Sequence, residues 1–469
     1  MEKKIISGLV LCFVLVFMSN TLAQEYKYDI NKYYTPDIVR NSLDLSFSSN
    51  DNIRNYEHPN DSTIANSLEW NLNPTFTRYK NTRKQITTFS IGGQTNGSSN
   101  SYFKTNKNNF KTSLNTENNL SINYNSYFYT LNQFFLMFKV SGNYGGTYYK
   151  DINSTDTLVR TNFASKNTYQ LRPYIGVGKG RIESITDARQ AVYILEELSK
   201  KRRITRILSE NEIFKFAQII SKIKNKRFLD ARLRKIEEIT TVDSFLVENG
   251  YLTKQDATYF TTLNDLWEYG ALYSRNSGQS FEINLSPNLN FASSHEKQTM
   301  QNLTQTTKDQ IYNAELNFIY RYEKSTSLDW QHSFSTSLSF HISDISNEKI
   351  YDSGFQDKTI AINKGGRFDA NYDLSYFPST RSKFTFYANQ IYTLDFNDHI
   401  TSNNNEYPQN HVSSLMTSVG VSTDYYFSPQ LRLSGSAGVG YRYDSQSTNN
   451  YTFKQISAGI GASINYSFF

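Results

Sequence analysis

From Leu43 onward, apolar residues recur at every second position between clusters of Asn, Ser, Thr and Asp, the pattern of β-strands with two unlike faces. The C-terminal segments show it most plainly. Leu431, Leu433, Ala437, Val439, Tyr441 and Tyr443 share one parity, while Arg432, Ser434, Ser436 and Arg442 share the other. The final segment sets Ile456, Ala458, Ile460, Ala462, Ile464, Tyr466 and Phe468 against Ser457, Gly459, Gly461, Ser463, Asn465 and Ser467. The alternation predicts fourteen strands, near 41–49, 66–78, 84–93, 116–129, 131–149, 165–179, 279–292, 309–323, 328–343, 366–377, 382–395, 410–427, 429–443 and 451–469.

In the five strands of clearest register the charged residues are Glu282, Glu315, Arg321, Asp369, Asp373, Asp424, Arg432 and Arg442, all on the non-apolar parity. A Lys or Arg facing lipid at mid-bilayer costs about 2–4 kcal/mol, and a slip of one residue would turn every one of these charges outward. A soluble sandwich would also keep charge out of its core, so loop lengths supply the choice. Tight links fall at 80–83, 323–326, 378–381 and 428–429, alternating with long polar links at 50–65, 94–115, 150–164, 293–308, 344–365 and 396–409. Short turns opposite long loops are the topology of an outer-membrane barrel, and an even strand count returns both termini to the periplasm. Pro173 and Pro287, on outward parities, depart from ideal pairing. The fold predicted is an all-β transmembrane antiparallel β-barrel of about fourteen strands with a small inserted α-helical domain.

That insert is announced by a change of period from two to 3.6 between Arg181 and Tyr269. A first helix carries Ala188, Ala191, Val192, Leu195 and Leu198 after Asp187 as N-cap. A second opens with Ser209 and Glu212 at capping-box spacing and continues through Ile213, Phe216, Ala217, Ile220 and Ile223. A third holds Leu229, Leu233, Ile236 and Ile239; a fourth holds Val242, Phe245 and Leu246 and stops at Gly250; a fifth holds Tyr259, Phe260, Leu263, Leu266 and Trp267. The strand count places this domain on the periplasmic side.

Composition sharpens the picture. The chain has 469 residues, 38% hydrophobic and 15% aromatic, with 35 Tyr and 32 Phe, and a mean hydropathy of −0.59. Such polarity excludes a bundle of membrane helices, each of which needs about 20 mostly apolar residues. The net charge of +6 is too mild over this length to imply a nucleic-acid partner. Lys3-Lys4, the apolar stretch from Ile5 to Met18 and the small-residue end at Thr21-Leu22-Ala23 have the layout of a cleaved secretory signal. The single cysteine, Cys12, lies inside it, leaving a mature chain without thiol chemistry. The expected organisation is thus a signal peptide at 1–23, a first barrel half at 24–180, the helical insertion at 181–275 and a second barrel half at 276–469.

A last strand of alternating apolar residues closing on Tyr466, Phe468 and Phe469 resembles the sorting signal of bacterial outer-membrane β-barrels, and the richness in Asn, Tyr and Phe is similar to such proteins from Bacteroidota. The resemblance implies location in the outer membrane, with its lipid as surroundings and the barrel-assembly machinery as partner. It implies no activity.

Candidate chemistry is sparse. Gly176, Gly178 and Gly180 lack dinucleotide-loop and phosphate-loop spacing and read as close backbone approaches. None of His58, His295, His332, His341, His399 and His411 has helical metal-site spacing. His341 with Ser343 and Asp344 caricatures a barrel hydrolase, and Asp395, Asn397 and Asp398 lack the glycine and distal glutamate of an EF-hand. Neither a cofactor, a metal nor an enzymatic activity is expected. The predicted lumen wall is of mixed sign: Arg172, Arg321, Arg432 and Arg442 against Glu282, Glu315, Asp369, Asp373 and Asp424. Between 200 and 235, thirteen Lys or Arg face three acidic residues. Arg202, Arg203, Arg206, Arg232, Arg234 and Lys235 are therefore either a solvated face or a docking surface for an acidic periplasmic protein, peptidoglycan or lipid phosphate. Two functions stay open: a pore or transporter for small solutes with the insert as plug or docking element, or a structural or assembly component whose insert binds a periplasmic partner or the cell wall.

Overall fold

The computed structural model describes residues 28–58, 61–104, 109–155, 158–226, 231–298, 303–402, 405–407, 410–428, 430–447 and 451–466. The proposed leader at 1–23, and Phe468 and Phe469 of the proposed sorting signal, lie outside them. The strands are β1 (Ile38–His58), β2 (Asp61–Asn81), β3 (Gln85–Lys104), β4 (Phe110–Tyr129), β5 (Phe134–Thr155), β6 (Leu158–Ser184), β7 (Asn276–Gln298), β8 (Leu303–Ser325), β9 (Trp330–Tyr351), β10 (Gln356–Ser379), β11 (Ser382–Ser402), the short β12 (Asn405–Tyr407), β13 (Asn410–Tyr426), β14 (Leu431–Gln446) and β15 (Tyr451–Tyr466). All but β12 form one antiparallel meander in chain order, a path of fourteen strands, with β12 paired to β11. The molecule is an all-β barrel-type transmembrane sheet with a helical domain inserted between β6 and β7. No ladder joins β1 to β15 among the described residues, so the two end strands flank a seam.

All fourteen alternating segments are strands, but most of them outrun their predicted limits. The expected long loops are largely ladder: β1 and β2 stay paired from Ile38↔Asn81 to His58↔Asp61, and β4 and β5 from Tyr129↔Phe135 to Phe110↔Ser154. A tilted strand crosses hydrocarbon in about 9–11 residues. Beyond that depth both faces meet water, so the alternation that reveals a strand disappears, whereas the backbone donors and acceptors still need each other. Pro173 and Pro287 face one another across β6 and β7. The ladder lapses between Leu171↔Leu289 and Ile175↔Leu285 and resumes in the same register, because neither proline has an N–H to give.

The helices are α1 (Thr186–Lys200), α2 (Glu210–Lys224), α3 (Ala231–Glu248) and α4 (Ala257–Tyr269). Their apolar stripes close on one core in which Ala188, Ala191, Val192, Leu198, Phe216, Ala217, Ile220, Val242, Leu246, Tyr259 and Leu263 are buried, with Phe216 and Phe245 stacked at 5.4 Å. The third and fourth expected helices are a single one, α3. No break falls between their stripes: the Thr241 hydroxyl donates back to the Glu237 carbonyl at 2.7 Å and the turn continues. Asp187 does not cap α1; Ile185 takes that place without a side-chain bond, and Asp187 pairs with Lys224 at 2.7 Å instead. At α2 the Glu212 carboxylate accepts from the Ser209 backbone N–H at 2.8 Å, as the spacing predicted.

Residues 28–33 do not belong to the barrel wall. Ile30 and Tyr33 are buried in the helical core. The Tyr28 hydroxyl donates to Glu196 at 2.8 Å, and Asn31 donates to the Ser325 carbonyl at 2.8 Å and accepts from its N–H at 3.2 Å. The segment thus staples the helices to the turn between β8 and β9.

Candidate functional site

The two faces of the sheet differ as their parities dictate. Leu136, Val177, Leu285, Phe340, Phe386 and Val439 stand exposed on one face. Near the tight-turn end of that face Trp330 stacks on Tyr376 at 4.6 Å and His332 Nδ1 lies 2.8 Å from the Tyr372 hydroxyl, the arrangement of an interfacial aromatic belt. The other face carries the polar residues and receives the helical domain.

That polar wall is cross-linked by charge. Glu282, with only 1% of its side chain exposed, lies 3.4 Å from Lys139 and 3.7 Å from Arg321, and Asn284 donates to it at 2.7 Å. Its Oε2 makes no hydrogen bond, so Arg321 offsets it by charge alone. Lys139 reaches Glu282 from β5, over β6. The Arg172 guanidinium reaches over β7 to Glu315 at 2.6 Å and to the Ser286 hydroxyl at 3.2 Å. Asp369 is held by Arg367 at 2.7 Å, Arg442 by Asp444 at 2.7 Å, and Asp424 accepts from Ser434 at 2.6 Å with Arg432 3.9 Å away. Of the nine wall residues proposed from sequence, the structure brings together Glu282 with Arg321, Arg172 with Glu315, and Asp424 with Arg432. Asp369 and Arg442 find partners that parity alone did not single out, Arg367 and Asp444. Asp373 takes part in no ion pair described.

At the tight-turn end the helical domain and its linkers bridge the wall. Arg275, buried in the linker to β7, donates to the Gln331 side chain at 2.9 Å, to the Leu328, Ser327 and Trp330 carbonyls at 2.9 Å each, and to the Ser325 hydroxyl. Buried Arg189 donates to the Tyr273 carbonyl at 2.7 Å, and burial pulls its guanidinium below the ordinary range. Both guanidinium groups lie over the Phe377 ring. The Tyr273 hydroxyl donates to the carbonyls of Arg381 and Asp424, each at 3.2 Å, and Arg381 pairs with Asp265 at 2.5 Å. On the opposite flank Arg181 donates to the Thr82 carbonyl at 2.9 Å and the Asn81 side chain at 2.6 Å. The helical domain and its linker are therefore tied to strand ends from β8 to β13, while Arg181 ties the end of β6 to the β2–β3 turn. The sequence offered no signal for Arg275, in the linker to β7, or for Arg189, within α1.

The basic stretch of the insert is mostly neutralised from within. Arg203 forks onto Asp256 at 3.0 and 2.8 Å, Arg206 onto Glu212 at 3.0 and 2.6 Å, Arg234 pairs with Glu238 at 2.7 Å and Lys235 with Glu268 at 2.6 Å. Arg203 pulls the Asp256 carboxyl down to about 2, and Arg206, helped by the Ser209 N–H, holds Glu212 well below the usual carboxylate range. Arg202 sits at a turn with φ of 58°, and the side chain of Arg232 lies outside the described residues. Most of the compensating acids lie outside 200–235, which is why a count over that window overstates the charge.

The caricature of a hydrolase changes partners: His341 Nε2 lies 3.3 Å from Asp395, whereas Asp344, at odd spacing along β9, falls on the opposite face. The side chains of Asn397 and Asp398, considered above with Asp395, lie outside the described residues.

No family model matches the chain, and no curated protein does. Among solved structures it is similar to the beta domain of the Bordetella autotransporter BrkA (9% identity, TM-score 0.26, covering 76% of this chain and 92% of that one). It is also similar to the translocator domain of the autotransporter NalP from Neisseria meningitidis (8%, 0.22, 100% and 98%) and to the transport unit of the autotransporter AIDA-I from Escherichia coli (11%, 0.24, 97% and 97%). The fold assignment rests on the ladder and the two faces described above.

Proposed function

We propose that the chain is an outer-membrane β-barrel that passes small solutes, with the helical domain as a plug at its periplasmic mouth. The observation that carries this reading is the placement of the helices: they lie on the polar face, at the tight-turn end, tied to strand ends from β8 to β13 by Arg275, Tyr273 and Arg381. In outer-membrane barrels the short turns are periplasmic, which puts the plug and the segment at 28–33 on that side. Fourteen strands fall between eight-stranded barrels filled by side chains and the sixteen-stranded porins with an open channel, so a plug has a lumen to close. This reading assigns no catalytic chemistry or cofactor to the chain. Barrel-assembly machinery and outer-membrane lipid are its partners.

A second reading is a structural or assembly component whose helices bind a periplasmic protein or the cell wall. It is favoured by the exposure of Ile207, Ile236, Val247 and Phe260 on the helical domain, since apolar side chains free of the core suit a partner. Planar-bilayer conductance separates the two. The full chain should conduct weakly, and replacing 186–274 by a short Gly-Ser turn should raise conductance by about tenfold or more, given the lumen of a fourteen-strand barrel. A sealed membrane with both proteins would sink the pore reading.

A further inference from the structure

The outward, apolar face carries a groove of about 390 Å³ over β4 to β7. Two successive rows of outward side chains shape it, each in ladder register. The row farther from the tight turns runs Leu120, Tyr144, Tyr169 and Phe291, and the row nearer them Ile122, Gly142, Leu171 and Leu289. Gly142 leaves a notch in the second row: a Cβ there would meet nothing nearer than the Ile122 carbonyl at 4.0 Å among the described residues. Gly97 and Gly146 share the outward parity but are already covered, one by the Trp70 ring and the other by the Tyr144 hydroxyl. At Gly142 the chain supplies no such filler, and the Tyr144 and Tyr169 rings pack on each other at 5.1 Å instead. Asn143 and Gln170 also border the groove, but their amides bond to each other at 3.3 Å on the polar parity, so the side chains that line it are apolar.

Position along the strands says what fills the notch. The outward residues of β5 run apolar from Phe134 through Leu136, Phe138 and Val140 to Tyr144, and then turn polar. That stretch covers about 34 Å of strand, or about 24 Å across a membrane at a tilt of about 45°, which matches the apolar band of about 25 Å on outer-membrane barrels. Lys179 lies over the Phe134 ring at 4.9 Å, at the tight-turn edge of the band. Past the opposite edge the next outward row is Asn118, Gly146, Asn167, Ser293 and Lys308, and Asn167 accepts from the Tyr144 hydroxyl at 3.0 Å. The groove therefore lies inside the hydrocarbon band, in the leaflet away from the tight turns, one row from the polar boundary. A flexible chain of methylenes hanging from that boundary reaches it. Laid over Gly142, such a chain touches protein below and on both sides, where a smooth wall touches it on one, and every added contact adds dispersion attraction.

We propose that this groove is a lipid site, seating one acyl chain of a membrane lipid in the leaflet away from the tight turns, with the headgroup at the row of Asn167 and Lys308. The site needs a membrane around the barrel, and does not need the barrel to conduct. The test is photolabelling of the full chain in phosphatidylcholine vesicles containing phosphatidylethanolamine with a diazirine on one acyl chain, the labelled residues being mapped by mass spectrometry. Leu171 and Leu338 are the same residue type on the outward faces of β6 and β9, exposed to 46% and 40%, so exposure alone predicts equal label. With a chain seated in the groove, Leu171 should take about fivefold more label than Leu338. Gly142→Phe, which fills the notch with a ring of the protein's own, should bring Leu171 down to the level of Leu338 while the β-sheet circular dichroism is kept. Gly142→Ala, which leaves most of the notch open, should stay close to the parent. Equal label at Leu171 and Leu338 in the parent, or the same label at Leu171 in parent and Gly142→Phe, would overturn the proposal. So would an oligomeric parent that Gly142→Phe turns into a monomer, because the groove would then seat a second copy of this chain. A protein that labels as expected yet seals a planar bilayer keeps the lipid site and loses the pore.

Discussion

Two kinds of charged residue hold this molecule together, and they differ in what their loss would do. Wall pairs such as Arg442 with Asp444 are half exposed and contribute little each, as solvent-screened pairs do. Arg275 is different. It is buried and satisfies three carbonyls and two side chains of the β8–β9 connection. Removing it leaves the three carbonyls with one weaker donor each, from Thr326, Ser325 and Tyr193, and bonds to a charged group are worth about 1.5–3 kcal/mol each. Arg275→Ala should therefore loosen the helical domain by at least about 3 kcal/mol, read as a roughly hundredfold faster tryptic cleavage within 200–235 with the barrel intact. Arg275→Lys, which keeps the charge but not the five-donor fork, should fall between the two. Cleavage of Arg275→Ala at the parent rate would show that the domain is held by other contacts.

At the scale of elements, what could be read in advance was what water and hydrocarbon write into a sequence. Leu136, Phe138 and Val140 alternate with Met137, Lys139 and Ser141, so β5 was legible, and Ser209 with Glu212 marked the start of α2. The outer halves of β1 and β3 were not legible. Asn50 to Asn52 and Gln94 to Ser101 are polar on both parities, and only the partner strand reveals that they are extended. For the site, residue parity identified the wall but not its pairing. Arg172 with Glu315 and Lys139 with Glu282 join strands two apart, a relation that depends on which side chain between them is small. Gly178 is bare for a different reason, the Phe135 ring lying over it: an added Cβ would strike that ring and the Phe281 carbonyl, and overpacking against backbone costs about 1–3 kcal/mol. Gly459, with nothing within 4 Å of its Cβ position, is the matching control. Gly178→Ala should lower the thermal midpoint of the detergent-solubilised barrel while Gly459→Ala leaves it within error; equal midpoints would mean that β5 can shift to make room.

For the molecule as a whole, the seam decides how the sheet meets a membrane. Outward residues of strands with two neighbours are about half exposed, as Val177 at 56% and Phe340 at 49% are, whereas Leu43 at 73% and Phe47 at 69% on β1 and Ile456 at 77% and Ile460 at 91% on β15 stand far more open. In hydrocarbon each backbone group left unpaired along such an edge costs several kcal/mol, and two edges of 21 and 16 residues multiply that cost until the open form cannot persist there. The first and the fourteenth strand of an antiparallel meander run in opposite directions, so they can pair with each other as every other neighbour does, their apolar parities falling on one face. The sole cysteine, Cys12, lies far from either edge in sequence, which makes the pairing testable by engineered disulfides. In membranes, cysteines placed at Leu43, Leu45 or Phe47 should cross-link with cysteines at Ile456, Ile460 or Ile464 in at least one register, and should not cross-link with cysteines at Ser457 or Ser463, whose parity points to the lumen. Cross-linking that ignores parity, or none in any same-parity pair, would mean that β1 and β15 remain apart in the bilayer, and that something other than the chain's own edges shields them.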